Sequence, residues 1–226
     1  MNHRDNMPQK YIFFDIDNTL FPTSQFLVRA DENAINAMIS RGLACCFDDA
    51  MEMLRKIQEK KGSNYSKHFD LLVKETNGRR DLKIVAAGIV AYHNTKNAMA
   101  PYPEVLGVLM RLHDKGHKLY IATEGIEIKQ WDKLIRLGLD MYFDKVYVAK
   151  QKNRAFYEHI MKREKVAGKE CVMIGDRPDK DTWPAMLAGM YTIRVKRGKY
   201  EKESARGKAH KEICDLRNLP EIIEKL

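Results

Sequence analysis

The stretch Tyr11-Ile12-Phe13-Phe14-Asp15-Ile16-Asp17-Asn18-Thr19 decides the fold, because an apolar run of strand length stops abruptly at two aspartates placed two residues apart. In an extended chain such residues face the same side, and ligands of open α/β sheets bind at the strand ends, so both carboxylates can converge on one substrate. A pair of this kind can hold Mg2+ while one member attacks phosphorus. Taken alone, the pattern also fits an acidic turn or a helix N-cap, since Asp, Asn and Thr all cap helices.

Three later segments extend it. Lys118-Leu119-Tyr120-Ile121-Ala122 is strand-like, ends in Thr123-Glu124-Gly125 and leads into a helical pattern. A hydroxyl and backbone amides at such a junction bind phosphate oxygens, whereas a bare N-cap is the plainer reading of Thr123. Lys145-Val146-Tyr147-Val148-Ala149-Lys150 again ends an apolar strand in a polar group, here a lysine that could equally be a solvated surface residue. Cys171-Val172-Met173-Ile174 runs into Gly175-Asp176-Arg177-Pro178-Asp179-Lys180-Asp181, a glycine turn with acids spaced G-D-x-x-x-x-D, in which Asp179 or Asp181 could serve simply as a cap.

In order and context the four segments resemble the haloacid dehalogenase-like superfamily, specifically its phosphatases with a helical cap inserted after the first motif. The resemblance spans nearly the whole chain. D-I-D-N-T looks like the first motif, Thr123 the second, Lys150 the third and G-D-R-P-D-K-D the fourth. Lys150 stands six residues before Phe156, as the family's K-P-x-P-x-x-F requires, although Gln151 and Asn153 replace the prolines and Lys152 is the alternative. Glu124 stands where Asn or Asp is commoner; an acid beside bound phosphate must point away or take part in substrate choice. The string from Ala86 to Lys96 is similar to the cap of small prokaryotic, notably archaeal, members.

The resemblance implies a Mg2+-dependent hydrolysis of a small phosphorylated metabolite through an aspartyl-phosphate. Asp15 would be the nucleophile and Asp17 the acid and base. Asp15, the Asp17 carbonyl and Asp176 would hold the metal, with Asp181 in support. Thr123, Glu124 and Lys150 would line the phosphate. A metal-independent haloacid dehalogenase, which needs no second aspartate, a phosphomutase and a non-catalytic phospholigand-binding protein are the alternatives on the same fold. His93, at the end of the last cap helix, and Arg177, beside Asp176, are further candidates; an internal ion pair is the expected role of Arg177.

The chain of 226 residues is long enough for an α/β core with one insertion. Asp48-Asp49 and Asp81 open helical patterns that end near Gly62 and His93, after an earlier stripe through Ala34, Ile35, Met38 and Ile39, while Phe69, Leu72 and Val73 mark a further helix. After Pro101-Tyr102-Pro103, β-α alternation resumes. The expected fold is therefore α/β, a Rossmann-like parallel sheet formed by residues 1–21 and 101–226, with 22–100 as an inserted α-helical cap. The net charge is +9, densest from Arg194 to Lys211 through Lys196, Arg197, Lys199, Lys202, Arg206 and Lys208. Acids interrupt that stretch and Tyr200 is its one aromatic, which argues for a solvated loop and against nucleic acid. Cys45, Cys46, Cys171 and Cys214 show no metal-binding spacing and suggest reduced thiols. No apolar run spans a bilayer and Met1 to Asp5 has no apolar signal region, so the expected place is the cytoplasm, with a homodimer left open.

Overall fold

The computed structural model describes residues 8–62, 64–204 and 207–226. The opening Met1 to Asp5, and Arg206 of the basic stretch, lie outside the described residues. The described chain divides into two compact units, one running up to Ser24 and resuming from Ala100 to Leu226, the other being Gln25–Met99.

In the first unit, β1 (Tyr11–Phe14), β2 (Lys118–Glu124), β3 (Lys145–Ala149), β4 (Cys171–Gly175), β5 (Tyr191–Val195) and β6 (Lys211–Ile213) form a parallel sheet. Their order is β3-β2-β1-β4-β5-β6. β1 lies between Lys118–Ile121 on one side and Cys171–Ile174 on the other, in register along its whole length. Parallel strands covered on both faces read as unbroken apolar runs, and Ile12, Phe13 and Phe14 are all fully buried. The helices are α1 (Thr23–Ile39), α2 (Phe47–Lys61), α3 (His68–Asn77), α4 (Leu82–Thr95), α5 (Val105–Asp114), α6 (Glu127–Arg136), α7 (Arg154–Glu164), α8 (Trp183–Leu187) and α9 (Leu219–Ile223).

The second unit holds most of α1 together with α2 to α4. Cys46 caps α2 through its sulfur, Asp48 and Asp49 occupy the first turn and Lys60 and Lys61 the last, so the charges complement the helix dipole. Asp81 caps α4 by accepting from Lys83 N and Ile84 N. Ile35, Met38, Leu54, Ile57, Leu72, Val73, Ile84 and Val85 close a separate apolar core. Asp31 and Gln58 of this unit are joined by a partly buried hydrogen bond of 3.0 Å.

Two expectations change. The sequence shows five strands, the fifth being the apolar run Tyr191 to Val195, but β6 adds a sixth at the edge; its three residues, with Lys211 and Glu212 exposed, are too short for an apolar alternation to register. The basic stretch is also not simply a solvated loop. Arg194 is buried in β5 and donates to the carbonyls of Tyr200 and Glu203 at 2.8 and 2.7 Å. Lys199, Lys202, Lys208 and Lys211 remain exposed. No described helix is long and apolar enough to cross a membrane.

His117, just before β2, is buried, its Nδ1 accepts from Lys10 N at 3.2 Å and its Nε2 has no partner. Burial and the positive charges of Lys115 and Lys10 hold its pKa below the usual value. The unfolded chain therefore takes up a proton at this position before the folded one does. Its contribution to stability is complete above the unfolded pKa of about 6.5 and is lost progressively as pH falls from there to the folded pKa. Denaturant midpoints measured from pH 8 to 5 should show a shallower decline for His117→Asn, which keeps an acceptor for Lys10 N, than for the parent; equal slopes would exclude His117 as a contributor.

Candidate active site

The strand order doubles back about β1, so the C-terminal ends of β2, β1 and β4 lie side by side, the place where open α/β sheets bind ligands. Asp15 follows β1, Thr123 stands near the end of β2 and Asp176 follows β4. Asp15 N donates to Ile174 O at 2.9 Å, which extends the β1–β4 pairing up to the nucleophile candidate.

At the centre is Lys152, whose side chain is 2% exposed. Its Nζ lies 2.6 Å from Asp15 Oδ1 and also bonds Asp181 Oδ1. Burial would lower its pKa, but the charges of Asp15 and Asp181 raise it well above the ordinary lysine value. Lys150, the position favoured by the spacing to Phe156, is exposed. The lysine among the carboxylates is the alternative, two residues later. Its local cause is Asn153, which caps α7 by accepting from Phe156 N at 2.9 Å and so puts Lys152 immediately before the helix. Glu124 then fixes it: Glu124 Oε2 accepts from Lys152 N at 2.8 Å and lies 3.4 Å from Lys180 Nζ. The Glu124 carboxylate thus supports the Lys152 backbone and meets the Lys180 ammonium.

Asp181 is fully buried, and its second oxygen accepts from Arg177 N at 2.9 Å. A Cβ on Gly175 would overlap the Asp181 carboxylate, so this turn tolerates no side chain there. Arg177 makes the expected internal ion pair, with Asp179 at 3.0 Å, and its guanidinium stands 4.8 Å from the Tyr200 ring centroid. Asp17 is turned to other partners: it accepts from Thr23 Oγ1 at 2.5 Å and from Lys133 Nζ on α6. Burial would raise its pKa, but Lys133 and Thr23 hold it below the usual value. His93 is exposed on the last turn of α4.

Asp15, Asp176 and Asp181 each offer an oxygen within 4.8 Å of the others. Both oxygens of Asp176 are buried without a hydrogen-bond partner. Burial and the charges of Asp15 and Asp181 push Asp176 up to about 9, and burial pushes Asp15, against the pull of Lys152, up to about 7. Three carboxylates facing one ammonium leave an excess of negative charge that a divalent cation with oxygen ligands would neutralise. The residues therefore fit such an ion. The Thr123 hydroxyl is likewise buried and unpartnered, a donor available to an incoming anion.

Sequence reasoning missed Lys133, Thr23 and Gln130. Gln130 Nε2 donates to Glu124 O at 2.9 Å and holds the loop after β2. The only local signal was their place in the first turns of α1 and on α6, beside the motif-bearing loops. Lys152→Met should lower turnover by about a hundredfold or more, whereas Lys150→Met should stay within about twofold, both read against melting temperature. The reverse ranking would return the role to Lys150. Gly175→Ala should displace Asp181 and cost about 2 kcal/mol or more in chemical denaturation; an unchanged midpoint would show that the turn relaxes.

A family model described as haloacid dehalogenase-like hydrolase matches residues 12–195. A glyceraldehyde 3-phosphate phosphatase of Methanocaldococcus jannaschii is 42% identical over 223 residues, covering 96% of this chain and 98% of its own. One of the same name from Pyrococcus furiosus is 36% identical over 225 residues, covering 96% and 92%. A haloacid dehalogenase-like family hydrolase from Xanthomonas campestris shares the fold at a TM-score of 0.73 and 18% identity, over 97% of this chain and 96% of its own. The chain belongs to the haloacid dehalogenase-like hydrolase family, among its phosphatases.

Proposed function

We propose that the protein hydrolyses glyceraldehyde 3-phosphate, or a phosphate monoester of that size, with Mg2+ and through an aspartyl-phosphate on Asp15, in the cytoplasm. The observation that carries this reading is the buried cluster of Lys152 with Asp15 and Asp181 beside the unpartnered oxygens of Asp176. The substrate comes from the relatives' names and from their near full-length match.

Asp15 attacks phosphorus as the bond to the leaving oxygen breaks, and Asp17 gives that oxygen a proton. Asp17 then takes a proton from the water that attacks the aspartyl-phosphate, releasing phosphate and regenerating Asp15. Asp17 must carry the proton that it gives in the first step; Lys133 and Thr23, which lower its pKa, oppose that form and favour the carboxylate that the second step uses. Thr123 Oγ1 and Lys152 take the phosphoryl oxygens, where charge-assisted donors in a dry site are worth most. Mg2+, held by Asp15, the Asp17 carbonyl and Asp176 with Asp181 behind them, would supply the remaining charge neutralisation at the phosphoryl group. The helical unit Gln25–Met99 is the proposed cap that selects among small phosphorylated metabolites. Asp17 disfavours the dehalogenase alternative, in which no leaving oxygen awaits a proton.

Phosphate release from glyceraldehyde 3-phosphate should require added Mg2+ and stop with EDTA. Asp15→Asn should lose about a thousandfold or more of kcat, and Asp17→Asn about a hundredfold or more. Turnover that persists in EDTA or in Asp15→Asn would overturn the mechanism. Activity on other small phosphate esters with none on glyceraldehyde 3-phosphate would overturn the substrate alone.

A further inference from the structure

The turn after β5 is built onto the loop that carries both catalytic aspartates. Arg197 Nη2 donates to Thr19 O at 2.8 Å and Nη1 to Glu104 Oε1 at 2.7 Å. Its guanidinium carbon lies 3.7 Å from the Tyr102 ring centroid. Arg197 and Glu104 side chains are each 13% exposed, so the pair is largely withdrawn from water. Thr19 closes the D-I-D-N-T loop, while Tyr102 and Glu104 stand where the chain resumes the first unit. Tyr102 N also donates to Leu20 O at 3.0 Å.

The loop that Arg197 grips turns tightly and is met from outside by the turn after β5. Asn18 sits at φ 54, the left-handed region that asparagine enters more readily than other side-chain-bearing residues, with its N–H on Phe21 O at 2.7 Å and its Oδ1 accepting from Ser24 N at 2.9 Å. Gly198, at φ 70, lies flat against it, and a Cβ there would stand 2.6 Å from Asn18 Cγ. Two residues further, Tyr200 carries the Arg177 guanidinium of the β4 loop on its ring. One short turn therefore touches the loops after both β1 and β4.

We propose that Arg197 is a positioning residue for the phosphatase reaction: its fork ties the backbone at Thr19 to Glu104, holding the Asp15–Leu20 loop in the geometry that presents Asp15 and Asp17 to the phosphoryl group. It acts through the loop and does not touch substrate. The planar guanidinium reaches two acceptors on separate segments while stacking on Tyr102, which a lysine ammonium cannot reproduce. The proposal rests on the phosphatase reading with Asp15 as nucleophile.

The test compares the full chain with Arg197→Met, Arg197→Lys, Glu104→Gln and Asp15→Asn, by glyceraldehyde 3-phosphate turnover and by hydrogen–deuterium exchange. Arg197→Met should lower kcat about tenfold to a hundredfold with KM within about threefold, since small misplacements of reacting groups act on kcat. Deuterium uptake should rise in residues 16–22 and not in β3 or α7. Arg197→Lys should recover only part of the loss, and Glu104→Gln should show a smaller loss of the same kind. Unchanged kcat in Arg197→Met, or uptake raised evenly along the chain, overturns the proposal. Should Arg197→Met not fold, Arg197→Lys is judged by the same two criteria. Turnover absent from the full chain, or surviving in Asp15→Asn, overturns the phosphatase reading instead, and uptake at residues 16–22 then decides for Arg197.

Discussion

The site depends on one buried cation. Lys152 can be held in the interior only because Asp15 and Asp181 meet it there, and those carboxylates can be buried together only because Lys152 stands between them. Removing one partner from such a group typically costs about 3–5 kcal/mol, because the other charge is left uncompensated. Around this contact the remaining choices are constrained: Glu124 fixes the Lys152 backbone, Asn153 starts α7 at the right residue, and Gly175 leaves room for Asp181. Asp176 is left over as the buried carboxylate of the cluster that makes no ion pair among the described residues, a place suited to a metal ion.

The sheet supplies the coordinates for this chemistry. Parallel pairing of β1 with β2 and β4 brings Asp15, Thr123 and Asp176 to one edge from positions more than a hundred residues apart in the case of Asp15 and Thr123. The two acidic positions of the first loop are then separated electrostatically. Asp15 is raised by burial while Asp17 is lowered by Lys133 and Thr23, so neighbours two apart in sequence have different proton affinities.

Part of the positive charge of the densest stretch has an internal use. Arg194 and Arg197 are spent on main-chain carbonyls and on Glu212 and Glu104, and Arg177 on Asp179 and the Tyr200 ring. These are the donors that tie β5 and β6 to the loop after β1 and brace the loop after β4. A stretch that composition presents as a solvated basic loop is in part the scaffold of the site.

Much was legible in the sequence because it is encoded locally. Buried parallel strands show as apolar runs, the Asp81 cap and the Asp48-Asp49 helix start show as start signals, and Asp15, Asp17, Thr123, Asp176 and Asp181 mark the strand ends by their own chemistry. Tertiary structure alone placed Lys152 and not Lys150 beside Asp15 and Asp181, set Glu124 against the Lys152 amide, and brought Lys133, Thr23 and Arg197 to the loop. Those outcomes depend on which groups a side chain meets once water is excluded, and pairings set by the fold, several of them across more than a hundred residues, leave no period or spacing in the chain.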